Sequence, residues 1–495
     1  MKNKLSLILA ALLLGASALS CGNEAGNTPA DTQKVDPASD TEAVTEAVST
    51  RPPVGLPEGL DFGGREFHSV AFTWQGYNYY FFADAENGDV MNDAIYHRRQ
   101  KVEETLNVKI MTEVIQDVAT TVVPTAVKKT VKAGEDAYDQ VLLHCIDSVA
   151  SLPSEGYLYN LDTLPNIDMD AEWWNQEQMD VLRLGKNTYY AINDFMVPCP
   201  YICYFNKDMV QNLDFDNPYE LVYEGKWTID RFSEMARAVV SDLNGDGKMT
   251  YEDDQFGITA NETSKYASFL SASNQFIMSK GSDGKVGLSV NSEKTLHLVE
   301  LFSVFKNEKV CYFPQKGEYG EDQLTINSGR LMFQLGTLAL AEQMREYTVE
   351  FGFLPYPKYD EAQESYHSMD WGGLMCVPTT ITNPDFTGAV IELLAYESGN
   401  EVLPTYYTTV LTGKLARDPD AEKMLDLIFD TICYDVGINY FGFTSGVSDL
   451  YNPIYNVALN GNGDFASFYA KREKNADKAI TKFYESLENS ESADS

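Results

Sequence analysis

The chain has 495 residues, with 74 acidic and 37 basic side chains and a formal net charge of −37. So large a negative charge argues against partners that are nucleic acids or anionic lipid surfaces. The apolar share of 44 % is typical of a globular protein, and the length exceeds what one compact core holds, so two lobes are expected.

The first residues have the pattern of an export signal. Two lysines precede an apolar run from Leu5 to Ala18 that is too short to span a bilayer, and Cys21 follows. This pattern resembles the bacterial lipobox, in which the cysteine after the cleavage point is lipidated. We therefore predict a lipoprotein signal peptide over 1–20 and an exported protein anchored through Cys21 to the outer face of the cytoplasmic membrane. An ordinary cleaved signal with an unrelated cysteine is the alternative.

A polar segment follows the signal. Residues 21–59 are rich in Ser, Thr, Pro and acids and contain almost no large apolar side chains. Such a segment cannot bury enough surface to offset its ordering entropy, so we expect a disordered tether. No second apolar run of transmembrane length occurs, so membrane attachment would depend on the lipid alone.

The mature chain begins with alternating strands and helices. Runs at 65–72, 108–114 and 138–145 predict strands, and helical spacing of apolar residues separates them. The last of these runs, YDQVLLHC, is apolar almost throughout, as in strands buried on both faces. This order predicts a parallel α/β sheet whose ligand loops follow the carboxyl ends of the strands.

Later segments give clear local signals. Thr228 is a natural N-cap before an amphipathic helix, and helical stretches are predicted over Pro384–Glu397 and Ala421–Cys433. The residues 486–495 read as a polar, solvated tail. The six cysteines beyond Cys21 lie mostly in core-like segments, which favours buried thiols over a disulfide framework.

Several motifs occur in an order that resembles family 1 of the extracellular solute-binding proteins, the substrate-binding lipoproteins of bacterial carbohydrate ABC importers. The motifs are the lipobox, YFNKDM, KWTIDRF, LMFQLGT, GFLPYPK and a return segment containing Gly372-Gly373. The resemblance implies an α/β fold of the type II periplasmic-binding-protein kind, with two α/β lobes joined by crossing segments and a ligand cleft between them. It assigns 60–197 and 371–412 to lobe 1, and 198–370 and 413–485 to lobe 2.

The resemblance also implies a function. Members of the family close their two lobes on a sugar or oligosaccharide, so we expect a monomeric receptor that delivers a carbohydrate to an ABC permease, without enzymatic activity. An exported glycoside hydrolase remains an alternative, because its two carboxylates are neighbours only in space. A glycan-binding surface lipoprotein without a transport role is a third interpretation.

The loops that follow the predicted strands supply the candidate ligand site. Carboxylates and hydroxyls there would bond sugar hydroxyls, aromatic rings would stack on sugar faces, and glycines would let the backbone approach the ligand. The residues expected to converge are Trp74, Asp147, Ser148, Asp194, Thr337, Trp371, Gly372 and Gly373. For Trp371, core packing is an equally good interpretation.

One loop has the spacing of an EF-hand calcium site. Its ligand positions are Asp242, Asn244, Asp246, the Lys248 carbonyl and Asp253, with aspartate in place of the usual final glutamate. We predict a single structural calcium ion here, and no other cofactor. The alternative is a solvated turn. The five histidines are scattered, without paired metal-ligand spacing, and no nucleophile-elbow or phosphate-loop motif occurs.

Overall fold

The computed structural model describes residues 51–73, 80–116, 121–146, 149–259, 264–313, 324–411, 418–442 and 444–493. Gly55–Ser495 form one compact unit. Its strands are β1 Arg65–Thr73, β2 Val108–Gln116, β3 Gln140–His144, β4 Tyr201–Asn206, β5 Phe256–Thr259, β6 Met278–Lys280, β7 Val286–Leu288, β8 Cys311–Tyr312, β9 Leu331–Thr337, β10 Phe351–Leu354, β11 Ser368–Met369, β12 Gly373–Cys376 and β13 Ile432–Cys433.

The α-helices mostly lie between these strands in the chain. They are α1 Val90–Leu106, α2 Val122–Ala133, α3 Ser151–Ser154, α4 Gln176–Leu182, α5 Lys207–Asn212, α6 Pro218–Tyr223, α7 Ile229–Ala238, α8 Ser264–Ala272, α9 Glu293–Asn307, α10 Leu340–Gln343, α11 Pro384–Glu397, α12 Leu403–Leu411, α13 Ala421–Asp430, α14 Val436–Asn439, α15 Phe465–Ala470 and α16 Glu473–Ala493. Two π-helical turns, Ser398–Val402 and Ile454–Leu459, extend or join helices in the C-terminal third.

The first sheet has the order β12-β3-β1-β2, and all its strands fall within the residues assigned to lobe 1. β1 pairs in parallel with both β2 and β3, as the alternation of strands and helices predicts. β12 returns from the far part of the chain and pairs antiparallel with β3, with Gly373 opposite His144. All five residues of β3 are buried, as expected for a strand covered on both faces.

The second sheet has the order β10-β4-β9-β5-β8 and is built from residues assigned to lobe 2. β4 is antiparallel to both neighbours, and its first residue, Tyr201, lies opposite Thr337 at the end of β9. Helix α7 packs on this sheet through Phe232, whose ring centroid is 4.7 Å from that of Phe333. Thr228 caps α7, as the sequence predicts, and its side chain accepts a hydrogen bond from the Arg231 backbone N–H.

The C-terminal segment differs from the sequence-based expectation. Residues 486–493 are not a solvated tail, because α16 continues to Ala493 and buries Leu487 at 2 % exposure. The predicted helix over Ala421–Cys433 is also shorter, since α13 ends at Asp430 and Ile432–Cys433 form β13 beside β11. The predicted tail is acidic and polar apart from Leu487, and α16 buries that side chain.

Two further observations bear on the chemistry of the chain. All six described cysteines are buried, and none of them forms a disulfide: Cys145, Cys199, Cys203, Cys311, Cys376 and Cys433. Among the residues that the structure describes, no helix is both long and apolar enough to cross a membrane.

Candidate functional site

Trp371 lies where the two sheets approach each other. Its ring centroid is 5.2 Å from the ring of His144, at the end of β3, and 5.4 Å from the ring of Tyr201, at the start of β4. Its backbone N–H donates to the Cys199 carbonyl at 3.2 Å. The indole remains partly exposed. One aromatic side chain therefore touches both sheets and still offers surface for stacking.

Hydroxyl groups lie on the lobe 2 side of this ring. The Tyr201 hydroxyl is 2.8 Å from the Ser264 Oγ, at the first residue of α8. Thr337 is the register partner of Tyr201 and is 3 % exposed, and its Oγ1 has no hydrogen-bond partner among the described residues. A buried hydroxyl without a partner is costly unless something bonds to it. Thr337 is thus suited to bonding a ligand hydroxyl.

His144 forms the lobe 1 side of the ring contact. Complete burial lowers its pKa to about 3, so the imidazole is neutral at physiological pH. The Ile146 backbone N–H donates to its Nδ1 at 3.4 Å, which leaves the other ring nitrogen to carry the proton. No sequence motif assigns His144 a metal or catalytic role. Its position beside Trp371 was not predictable, because it depends on which strand ends meet.

The two glycines after Trp371 pack against protein atoms. A Cβ added to Gly372 would lie 2.7 Å from Asp370 Oδ2, and one added to Gly373 would lie 3.1 Å from Met196 Sδ. Close packing is thus sufficient reason for glycine at both positions. The proposed approach of their backbone to a ligand stays a prediction.

The other predicted ligand residues are placed less clearly. Asp194 is 6 % exposed, and its backbone N–H donates to the Trp173 carbonyl at 2.9 Å, within lobe 1. Trp74, Asp147 and Ser148 lie outside the described residues. The structure therefore brings together Thr337, Trp371, Gly372 and Gly373, and adds His144, Tyr201 and Ser264, which the sequence reasoning missed.

A cavity of about 720 Å³ lies elsewhere, between α7 and α9 on lobe 2. Asp230, Arg237, His297 and Glu300 are among its lining residues. None of the residues that line it belongs to the segments around Trp371. It is wide and open and carries an acidic and basic mixture typical of a solvated groove, so we do not place the ligand there.

The predicted calcium loop is closed by a β-bridge between Ser241 and Gln255. Asp242 accepts hydrogen bonds from the Gly245 and Gly247 backbone N–H groups at 2.6 and 2.8 Å. Asn244 and Asp246 each accept from the backbone N–H two residues later, those of Asp246 and Lys248. Within the described ranges, no three His, Cys, Asp or Glu side chains are grouped to hold a metal ion. The side chains of Asp242, Asn244 and Asp246 are thus bonded to the backbone of their own loop.

A neighbouring acid that the sequence reasoning missed holds this loop together. Asp254 is fully buried, and its carboxylate accepts from the Leu243 N–H at 3.0 Å and the Thr250 N–H at 2.7 Å. Asp253, the predicted last ligand, is exposed. The EF-hand spacing ends at Asp253, whereas the buried carboxylate that bonds the loop backbone belongs to the next residue, Asp254.

Solved structures with the same architecture are numerous. The binding protein for galacto-N-biose and lacto-N-biose I of the ABC transporter from Bifidobacterium longum, solved with lacto-N-biose, aligns with a TM-score of 0.58 at 12 % identity, covering 85 % of this chain and 98 % of its own. The GacH receptor of Streptomyces glaucescens, solved unliganded and with acarbose, aligns with a TM-score of 0.54 at 13 % identity over 85 % and 99 %. An ABC substrate-binding protein from Listeria monocytogenes, solved with cycloalternan, gives 0.53 at 12 % over 86 % and 99 %.

This chain has the fold of the type II periplasmic binding proteins. The fold class expected from the sequence is thereby confirmed. No protein-family model and no curated protein matches the chain by sequence. At 12–13 % identity the structural likeness establishes the fold, and the ligand has to be argued from the site.

Proposed function

We propose that the protein is an extracellular receptor that captures a carbohydrate between its two lobes and delivers it to an ABC permease. The observation that carries the proposal is the partly exposed Trp371 ring at the junction of the two sheets. Sugar C–H faces stack on aromatic rings, and the neighbouring hydroxyls of Tyr201 and Thr337 match the hydroxyls of a sugar. The named neighbours of the same fold were solved with saccharides or with acarbose. The receptor performs no covalent chemistry in this proposal.

Calorimetric titration with maltotetraose, mannotriose, lacto-N-biose and cycloalternan tests the proposal. We expect one of these neutral oligosaccharides, or a relative of it, to bind, and Trp371→Ala to weaken that binding by about tenfold to a hundredfold. The loss corresponds to about 1–3 kcal/mol for an aromatic stacking contact. Trp371→Phe, which keeps a smaller ring, should lose less.

A matched control uses a tryptophan of the core. Trp227 is 0 % exposed and donates to the Pro355 carbonyl at 2.9 Å. Trp227→Phe should lower the melting temperature without changing sugar affinity. Unchanged affinity in Trp371→Ala would remove the ring from the site, and turnover of an oligosaccharide would instead favour the glycoside hydrolase.

We also propose that the mature chain is a monomer attached to the cell surface through a lipid on Cys21. The lipobox-like sequence supports this, and Cys21 itself lies outside the described residues. Cys21→Ala should move the protein from the membrane fraction into the medium of expressing cells, because the variant cannot carry the lipid that provides the membrane attachment in this proposal. Equal membrane retention of wild type and variant would contradict the lipid anchor.

A further inference from the structure

The carboxylate of Asp370 is a junction for three separate chain segments. It accepts hydrogen bonds from the Cys199 backbone N–H at 2.7 Å, from the Gly372 N–H at 3.2 Å and from the Tyr434 hydroxyl at 2.5 Å. Cys199 precedes β4, Gly372 precedes β12, and Tyr434 follows β13. Asp370 itself is 4 % exposed. A single buried side chain thus joins the segments that lead into both sheets.

Backbone hydrogen bonds run beside these side-chain bonds. Asp370 forms an antiparallel bridge with Pro200, and its own N–H donates to the Cys433 carbonyl at 3.1 Å. The Cys145 N–H donates to the Gly372 carbonyl at 3.0 Å, which links the same junction to the end of β3. The backbone on both sides of Trp371 is therefore bonded to neighbouring segments.

The backbone at Gly372 lies close to the Asp370 carboxylate. A Cβ at Gly372 would lie 2.7 Å from Asp370 Oδ2, so only glycine fits while the bond from its N–H is kept. Burial raises the pKa of Asp370, and the hydrogen bonds from Tyr434, Cys199 and Gly372 act in the opposite direction. Bonds to a charged acceptor are stronger than neutral ones, so the ionised carboxylate would hold the junction most firmly.

We propose that Asp370 is a positioning residue for ligand capture, which acts through Trp371. By bonding Cys199 and Gly372, it fixes the backbone that carries the ring and so fixes the ring between His144 and Tyr201. Ligand affinity then depends on a carboxylate that does not itself touch the ligand. The inference rests on the proposed function for the sugar, and the geometry of the junction is independent of it.

The test variant is Asp370→Asn, which keeps the shape of the side chain. The remaining oxygen still accepts one bond, whereas the new amide N–H₂ faces donors such as the Gly372 N–H, so part of the junction is lost. The readout is fluorine NMR of protein labelled with 5-fluorotryptophan, without any ligand. The chain has five tryptophans, and Trp371→Phe assigns the resonance of Trp371. We expect that resonance to shift and broaden or split in Asp370→Asn, while the others stay in place.

Asp435→Asn is the matched control. Asp435 is 2 % exposed and accepts backbone bonds from Ile277 and Gly437 at 2.7 and 2.8 Å, next to the junction in sequence. The Asp435→Asn variant should lower the melting temperature without moving the Trp371 resonance, because Asp435 does not bond the backbone next to Trp371. If Asp370→Asn does not fold, Tyr434→Phe removes one donor only and should still change the Trp371 resonance. Unchanged resonances in a folded variant would overturn the inference.

A calorimetric arm separates this inference from the proposed function. With an oligosaccharide that binds the wild type, Asp370→Asn should weaken affinity by about tenfold, within the usual range of coupling between sites. If the wild type binds no sugar while the Trp371 resonance still responds, the proposed function fails and the positioning role stands. If sugar binds equally to both proteins and the resonance is unaltered, the positioning role fails alone.

Discussion

The carboxylate of Glu392 in α11 lies between two indole N–H groups. Trp173 Nε1 donates to one oxygen at 2.9 Å, and Trp174 Nε1 donates to the other at 3.0 Å. Burial raises the pKa of Glu392 to about 7, against the lowering effect of these two bonds. The folded protein therefore keeps a proton on Glu392 under conditions in which the unfolded chain has released it.

This raised pKa gives stability a defined pH dependence. Between about pH 4.5 and 7 the native state binds more protons than the unfolded state, so the free energy of unfolding falls as pH rises. For Glu392 the full effect across that window is about 3 kcal/mol. Asp435, whose pKa burial raises to about 6, acts in the same direction.

Glu392→Gln isolates the contribution of Glu392. The variant should be less stable than wild type at pH 5, because the amide cannot accept from both indoles, and the gap should narrow or reverse towards pH 7.5. Urea denaturation followed by tryptophan fluorescence at several pH values measures the difference. Parallel stability curves for the two proteins would mean that Glu392 titrates near its ordinary pKa.

At the scale of an element, the loop Asp242–Asp253 has the residue spacing of an EF-hand calcium site. Hydrogen bonds to its own backbone also stabilise its conformation. Gly245 and Gly247 have φ of 72° and 79°, which lets the chain turn inside the loop. Asp254 bonds both ends of the loop from its buried position. We propose that calcium adds to this arrangement as a structural brace, with Asp242, Asn244, Asp246, the Lys248 carbonyl and Asp253 as its ligands.

Two variants distinguish the effect of calcium on stability from the effect of the hydrogen bonds made by Asp254. Asp242→Ala combined with Asp246→Ala should cost little without calcium, because Asp246 is exposed and Asp242 is only half-buried, and should abolish any rise in melting temperature on adding calcium. Asp254→Ala should destabilise the protein with or without calcium, since it leaves two backbone N–H groups without a buried acceptor. If neither calcium nor a chelator changes the melting temperature of the wild type, the loop is a solvated turn and not a calcium site.

Elements with local signals were predictable from the sequence. The cap at Thr228 and the bounds of α11 depend on residues within a few positions, and the parallel order of β1, β2 and β3 follows from alternating strands and helices. The bonds made by Asp370, Glu392 and Glu491 join residues 171, 218 and 305 positions apart. No local pattern encodes such pairs, so the junction at Asp370 could not be predicted, and the ligand role of Trp371 stays a prediction.

At the scale of the whole molecule, α16 contacts segments that the sequence analysis assigns to each of the two lobes. Its Tyr484 hydroxyl accepts from the Val286 N–H at 2.8 Å, on the β6–β7 hairpin of lobe 2. Further along the helix, Glu491 accepts from the Lys186 and Asn187 N–H groups at 2.9 and 3.2 Å, in lobe 1. Leu487 packs beside Gly185, where an added Cβ would lie 2.9 Å from it. We expect this helix to limit how far the lobes move relative to each other.

Spin-label distance measurements on ligand-free protein test this role of α16. Lys129→Cys in lobe 1 and Lys306→Cys in lobe 2 provide exposed labelling sites, and the six described native cysteines are buried. Glu491→Ala removes the acceptor for two backbone N–H groups, at a cost of about 1–3 kcal/mol to the lobe 1 contact, and should broaden the interlobe distance distribution. The matched control is Glu488→Ala on the same helix, whose exposed ion pair with Lys285 at 2.7 Å contributes little to stability. Both variants remove one carboxylate from α16, so they differ only in the contact that is lost. Equal widths of the interlobe distance distribution for Glu491→Ala, Glu488→Ala and the unsubstituted helix would mean that the helix does not restrain the lobes.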